Sequence, residues 1–227
     1  MFLRKFKRRV KQIKLQLRRL EADHRCLPDF LVIGAAKSGT SSFYKCLVQH
    51  PQVLWAQKKE VHFFDRNYGR GLRWYRAHFP LRSRLPHGTV TGEGSPFYLC
   101  DPRAPERIFR TLPRAKLIVL LRDPVDRAVS HYFHEVKRQR EPLSLEKAVE
   151  EEERRVLPGF VRMINEPDFH SEDYQFFSYK HRGLYENQLK RYLRYFKRSQ
   201  LLVLKSEDFF SEPGRILQEV FAFLGIE

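Results

Sequence analysis

Phe30-Leu31-Val32-Ile33-Gly34-Ala35-Ala36-Lys37-Ser38-Gly39-Thr40-Ser41-Ser42-Phe43 joins a short apolar run to a glycine-bounded loop, and a helical pattern continues through Leu47 and Val48. The stretch predicts strand, tight loop, helix. A second such unit begins at Lys116, where Leu117 to Leu121 is wholly apolar, Arg122-Asp123-Pro124 turns the chain, and Val125, Val129, Tyr132 and Phe133 follow at helical spacing. Apolar runs without alternation suit strands buried on both faces. The expected fold is therefore a single α/β domain, a central parallel sheet flanked by helices. Further strands are expected at Thr89 to Gly92 and Leu201 to Leu204, with helices from about Leu184 to Phe196 and ending near Leu224. Leu143 to Arg155 reads as an acidic surface helix. Leu157 to Tyr179, rich in Pro, Phe and charge, reads as an irregular insert able to cover a site.

A glycine-bounded loop that leaves a strand and opens a helix turns backbone N–H groups and the helix dipole toward an anion. Both glycines of the nucleotide-binding pattern G-x-x-x-x-G-K-[ST] are in register at Gly34 and Gly39. The lysine is displaced, at Lys37, and Thr40 stands in its usual place. The second apolar strand ends Leu121-Arg122-Asp123, a cation where a metal-holding acid would approach. The loop thus expects a phosphate-bearing ligand handled by side chains, with no metal implied.

The 227 residues include 43 Lys+Arg against 27 Asp+Glu, a formal charge of +16 that calls for an anionic partner. Nine of the basic residues and no acidic one lie in Met1 to Leu20, where Phe6, Val10, Ile13, Leu17 and Leu20 fall on one helical stripe. Residues 1–27 are expected to form a basic amphipathic arm that either packs one face on the domain or a second copy, or meets an anionic membrane or polyanion. No run of about 18 apolar residues exists, and the basic start lacks the apolar stretch of a secretory signal. Three cysteines without C-x-x-C spacing indicate neither a disulfide framework nor a zinc knuckle.

Three ordered motifs resemble the sulfotransferases that use 3′-phosphoadenosine 5′-phosphosulfate (PAPS), nearest the heparan sulfate N- and 3-O-sulfotransferase branch. Pro28-Asp29-Phe30 through Thr40 is similar to that family's phosphosulfate loop, and Leu121-Arg122-Asp123-Pro124 through Ser130-His131-Tyr132 to its 3′-phosphate motif. Lys58-Lys59-Glu60-Val61-His62-Phe63-Phe64-Asp65 carries the third match, and Arg182-Gly183-Leu184-Tyr185 and Phe223-Leu224-Gly225-Ile226 extend the likeness to residues 28–226. The resemblance implies a P-loop-like sulfotransferase domain over residues 28–227 and PAPS as sulfuryl donor. It implies a hydroxyl or amine acceptor, foremost a glycan of the heparan sulfate type, and no metal.

The resemblance also assigns roles. Lys37, Ser38, Gly39, Thr40, Ser41 and Ser42 would hold the 5′-phosphosulfate, Lys37 reaching the bridging oxygen as it gains charge. Arg122 and Ser130 would bracket the 3′-phosphate. Glu60 would be the general base, with a pKa raised by apolar neighbours Val61, Phe63 and Phe64, and His62 and Asp65 would support it. Lys58, Lys59, Arg66, Arg70, Arg73 and Arg76 would offer a basic patch to an acidic glycan. Two departures are expected to matter: Gly94 stands where several heparan-modifying relatives carry a lysine, and the cofactor-closing segment that follows the Phe-Leu-Gly-Ile helix in relatives is not expected within residues 28–227. The rival readings are a P-loop kinase and a catalytically weak polyanion-binding protein on the same fold; nucleic acid is not an expected partner. With no membrane anchor in the sequence, the expected setting is cytoplasmic, with possible peripheral membrane contact through residues 1–20, rather than the Golgi.

Overall fold

The computed structural model describes Val10 and residues 13–227. Its centre is a five-stranded sheet in which every neighbouring pair is parallel. The strands are β1 (Phe30–Gly34), β2 (Val53–Trp55), β3 (Val90–Gly94), β4 (Lys116–Leu121) and β5 (Leu201–Lys205), in the order β2-β3-β1-β4-β5. β1 is central, and alternate side chains leave it on opposite faces. Leu31 and Ile33 join Leu117 and Val119 in one core, while Phe30 and Val32 join Ile118 and Leu120 in the other. Burial on both faces is why these runs show no polar alternation.

The first core is covered by the helices Leu72–Arg76, Ala104–Thr111 and Tyr185–Leu193, through Trp74, Tyr75, Ile108 and Tyr192. The second lies under Thr40–Leu47 and Pro213–Leu224, through Phe43, Leu47, Ile216, Val220 and Leu224. Helix Pro213–Leu224 starts on a proline and stops at Gly225, whose φ of 76° is the left-handed conformation of a C-terminal cap. The second loop unit matches expectation: Asp123 caps helix Pro124–Lys137 by accepting from the amides of Val125 and Asp126, both at 2.9 Å.

The stretch expected to be irregular is largely helical. Glu152–Asn165 forms one helix and Glu172–Phe177 another. Pro158 sits inside the first, a position that costs about 3 kcal/mol in an exposed helix interior. Burial of Val156 and Met163 against Phe97, Cys100 and Tyr174 outweighs it. The expected acidic helix is split: Leu145–Glu150 is capped by Ser144, and the next helix follows Glu151. Its Glu152 is buried rather than on the surface.

The proposed arm is described only from residue 13 onward, apart from Val10; the rest of the predicted stripe, Phe6 included, lies outside the described residues. Residues 13–20 are helical. Leu15 packs on the first core, and Arg18 donates to the carbonyls of Ala77 and Phe79, each at 2.5 Å. Ile13, Leu17 and Leu20 point away from the domain, 53, 59 and 75% exposed. Among the described residues no helix is long and apolar enough to cross a membrane.

Candidate active site

β1 delivers the chain into the loop at the carboxyl edge of the sheet, where ligand crevices form in open α/β folds. Lys37 and Gly39 have φ of 74° and 77°. At Gly39 an added Cβ would stand 2.6 Å from the ring of Phe210, so only glycine fits the turn. For Lys37 the left-handed backbone costs roughly 1–2 kcal/mol. Lys37 lines a cavity of about 770 Å³, with Thr40 and Ser41 beside it. Helix Thr40–Leu47 begins there, and its first amides have no intrahelical acceptor. The size is within the roughly 300–1,000 Å³ of small-molecule sites.

Glu60 and His62 line the same cavity. His62 is also left-handed, with φ of 55°, and its imidazole spans two carboxylates: Nδ1 is 2.7 Å from Asp65 Oδ2 and Nε2 is 3.4 Å from Glu60 Oε2. Burial pulls the imidazole pKa down, but the bonds to Asp65 and Glu60 outweigh it and push it to about 9. Glu60 receives the opposite influence. Its bond to His62 leads, burial opposes, and the Lys59 ammonium at 3.2 Å adds, so its carboxyl is held down at about 2. The expectation of a raised Glu60 pKa is therefore wrong: the two adjacent cations outweigh the apolar neighbours. Glu60 is ionised throughout the neutral range.

The Glu60-bearing segment is fixed from behind by Glu93, a carboxylate with no exposure at the end of β3. Burial pushes its pKa up, and four donors hold it: Ser95 Oγ at 2.7 Å, Tyr98 OH at 2.8 Å, Tyr75 OH at 3.1 Å and the Val61 amide at 3.2 Å. The His62 amide donates to Ser95 Oγ and the Phe63 amide to Tyr98 OH, at 3.1 and 2.8 Å. Three consecutive amides of the loop thus hang on one buried cluster.

Not every expected residue reaches the cavity. Lys37, Gly39, Thr40, Ser41, Glu60, His62 and Ser130 do. Asp65 is wholly buried behind His62. Ser38 is buried, its carbonyl accepting from Ser206 Oγ at 3.0 Å, and Ser42 is exposed on the helix. Arg122 stands beside the loop, 3.5 Å from the Lys37 carbonyl and 3.4 Å from Asp126, without lining the cavity. The expected basic patch disperses. Of its members only Arg66 lines the cavity, while Arg70 stacks on Trp74, Arg73 pairs with Asp23 and Arg76 donates to the Arg25 carbonyl. Lys59 links the first turn of helix Thr40–Leu47 to Glu60, bonded to Ser41 Oγ and to the Glu60 carboxylate. Its carbonyl accepts from the amide of Gly94. The cavity cations that sequence reasoning missed are Arg138, Arg140 and Arg182.

Residues 27–227 match the sulfotransferase domain family. The chain belongs to that family. A crystal structure of a sulfotransferase from Alicyclobacillus acidocaldarius superposes with a TM-score of 0.72 at 32% identity, covering 89% of this chain and 82% of that one. Heparan sulfate glucosamine 3-O-sulfotransferase 3A1 of Mus musculus is 34% identical over 92% of the chain and 48% of its own length. The membrane-associated sulfotransferase kil1 of Dictyostelium discoideum is 29% identical over 88% of the chain and 56% of its own. The sulfotransferase chain thus spans about half the length of these two relatives. Family membership sets aside the kinase reading, in keeping with the displaced loop lysine.

Proposed function

We propose that this chain transfers a sulfuryl group from PAPS to a hydroxyl or amine of a glycan, the heparan-like glucosamine of its relatives being the leading acceptor. The observation that carries the reading is one cavity lined both by a strained lysine on a strand-to-helix anion loop and by an ionised glutamate on a rigidly held segment. The free amides at the start of helix Thr40–Leu47, with Lys37, Thr40 and Ser41, fit a 5′-phosphosulfate. Ser130 on the cavity wall and Arg122 beside the loop would take the 3′-phosphate, and Ser38, Gly39 and Ser42 complete the loop that holds the donor. The donor supplies an activated sulfuryl group; the chain supplies position and charge. Lys37 would neutralise the leaving phosphate. Glu60 would receive the acceptor proton, and Lys59 and His62, itself held by Asp65, would fix its orientation. Arg66 and Arg138 make the cavity suited to an acidic glycan, while Arg140 on the same wall is paired with Glu135 at 2.9 Å.

Residues 1–27 would act as a separate basic arm ahead of the transferase unit at 28–227, and the exposed stripe Ile13, Leu17 and Leu20 would rest on an anionic membrane surface. Transfer of labelled sulfuryl from PAPS to a panel of glycans, without added metal, tests the enzymatic reading. Label moving only from ATP with magnesium would overturn it. Tight heparin binding with no transfer from any donor would favour a polyanion-binding role instead.

A further inference from the structure

Two arginines beneath the loop have been withdrawn from water without gaining a carboxylate. Arg127, in the first turn of helix Pro124–Lys137, has no exposure; Nη2 donates to the Tyr179 carbonyl, while Nε and Nη1 have no partner. Arg182 is 6% exposed; Nη2 donates to the carbonyls of Tyr174 and Gln175, at 3.2 and 2.5 Å, and Nε has no partner. Neither takes part in a salt bridge among the described residues. The acid whose field reaches Arg127 is Glu152, and its two oxygens are taken by the amides of Lys180 and His181, at 2.6 and 2.7 Å. Burial, then the charge of Arg182, pulls Arg127 down to about 10.

Both guanidiniums line one small void under Ala35, Ala36 and Pro96. Arg182 also forms part of the main cavity wall, with Phe97 4.8 Å from its guanidinium and with His131, whose buried Nδ1 is likewise without a partner and whose Nε2 is 3.7 Å from Glu135, an acid of that wall, itself paired with Arg140. An unpaired buried cation is among the costliest groups a fold can carry, and two adjacent ones cost more through mutual repulsion. An oxyanion entering the cavity removes that cost, and the planar guanidinium fork is the side chain best matched to it. The positions matter as well. Arg182 lines the main cavity with Pro96 and Phe97, and Arg122 does not.

We propose that Arg182, backed by Arg127, forms a second oxyanion subsite of the cavity, taking a sulfate or carboxylate carried by the acceptor or a phosphate carried by the donor. The subsite rests on the orphaned guanidiniums and not on turnover, so equilibrium binding tests it independently of the transferase reading. Calorimetry on the full chain with adenosine 3′,5′-bisphosphate and with a heparin oligosaccharide separates the two sources. R182M is expected to weaken one of them at least tenfold, with R182K recovering part of the loss. Loss confined to heparin assigns the subsite to the acceptor, and loss confined to the bisphosphate assigns it to the donor. The melting temperature of ligand-free R182M is expected to hold or rise, because an unpaired charge has been removed. Affinities for both probes within twofold of wild type overturn the proposal, as does loss of both with a lowered melting temperature that R182K does not restore. A second measurement needs no variant: inorganic sulfate should raise the melting temperature of the wild-type chain beyond chloride at equal ionic strength. Equal effects of the two salts would also refute the subsite.

Discussion

Glu60 and His62 titrate against each other, and each is legible in the motif Glu60-Val61-His62-Phe63-Phe64-Asp65 while their protonation states are not. The motif puts the residues in one loop, but only the fold brings Lys59 and an imidazole held by Asp65 to the carboxylate. E60Q is expected to lower kcat by about 10²- to 10⁴-fold, the usual reach of general acid–base catalysis. Its affinity for adenosine 3′,5′-bisphosphate should stay within twofold; a fully active E60Q removes the base assignment. K37A should lose both turnover and nucleotide affinity, because on the proposed reading the same ammonium would serve binding and the leaving phosphate. The signs of the pH effects follow from the shifts. His62 is raised from 6.5 to about 9, so its stabilising contribution is complete below pH 6.5 and fades as pH climbs through 9. Glu60 is lowered, so its contribution is present above the ordinary carboxylate range and lost only as pH falls through about 2. Thermal melts from pH 6 to 10 should therefore show a drop of a few degrees in the alkaline half, since about 1 kcal/mol moves a chain of this size by roughly 2–4 °C. H62Q should flatten that segment; an unchanged slope in H62Q would place the titration elsewhere.

Strands buried on both faces announce themselves as apolar runs, which is why β1, β4 and β5 were legible within a residue or two. β2 was not. Three residues at a sheet edge carry too little pattern, and Trp55 there is exposed. The helix Glu152–Asn165 is hidden in the sequence for the opposite reason, a local proline signal overruled by tertiary burial. β3 was legible as a strand, yet the importance of its last turnward residues was hidden, because Glu93 looks like any acid until Ser95, Tyr75, Tyr98 and the Val61 amide converge on it. A neutral amide at 93 cannot accept from all four donors, so E93Q leaves some of them unsatisfied in a dry site, at about 1–3 kcal/mol. E93Q is expected to lose several degrees of melting temperature and to lower kcat at least tenfold, with KM for the donor within about twofold. Its role is to position Glu60 and His62. Equal falls in kcat and donor affinity would show a general collapse of the cavity instead.

Across the whole molecule the +16 charge separates into parts with different work. Lys37, Arg66, Arg138, Arg140 and Arg182 gather at one cavity from the loop, the Phe63–Arg66 turn, the end of helix Pro124–Lys137 and the Arg182 turn, a convergence no linear charge count reveals. Nine further cations lie in the first twenty residues, where the described helix packs through Leu15 and Arg18 and leaves its apolar stripe outward. An exposed apolar stripe beside dense basic charge is matched by an anionic bilayer surface, which supplies both a counter-charge and an apolar layer. The full chain should therefore cosediment with phosphatidylserine vesicles and not with phosphatidylcholine ones. The double substitution L17S/L20S should weaken that binding several-fold at constant charge, since each buried methylene is worth about 0.8 kcal/mol. It should leave the melting temperature unchanged, because both side chains are outside the core. Raising the salt toward 1 M, where the screening length falls to about 3 Å, should release the electrostatic part and leave a residue that the leucines govern. Binding that salt abolishes and L17S/L20S does not alter would reduce the arm to a charge cloud, and equal binding to both lipids would remove the anionic surface as its partner.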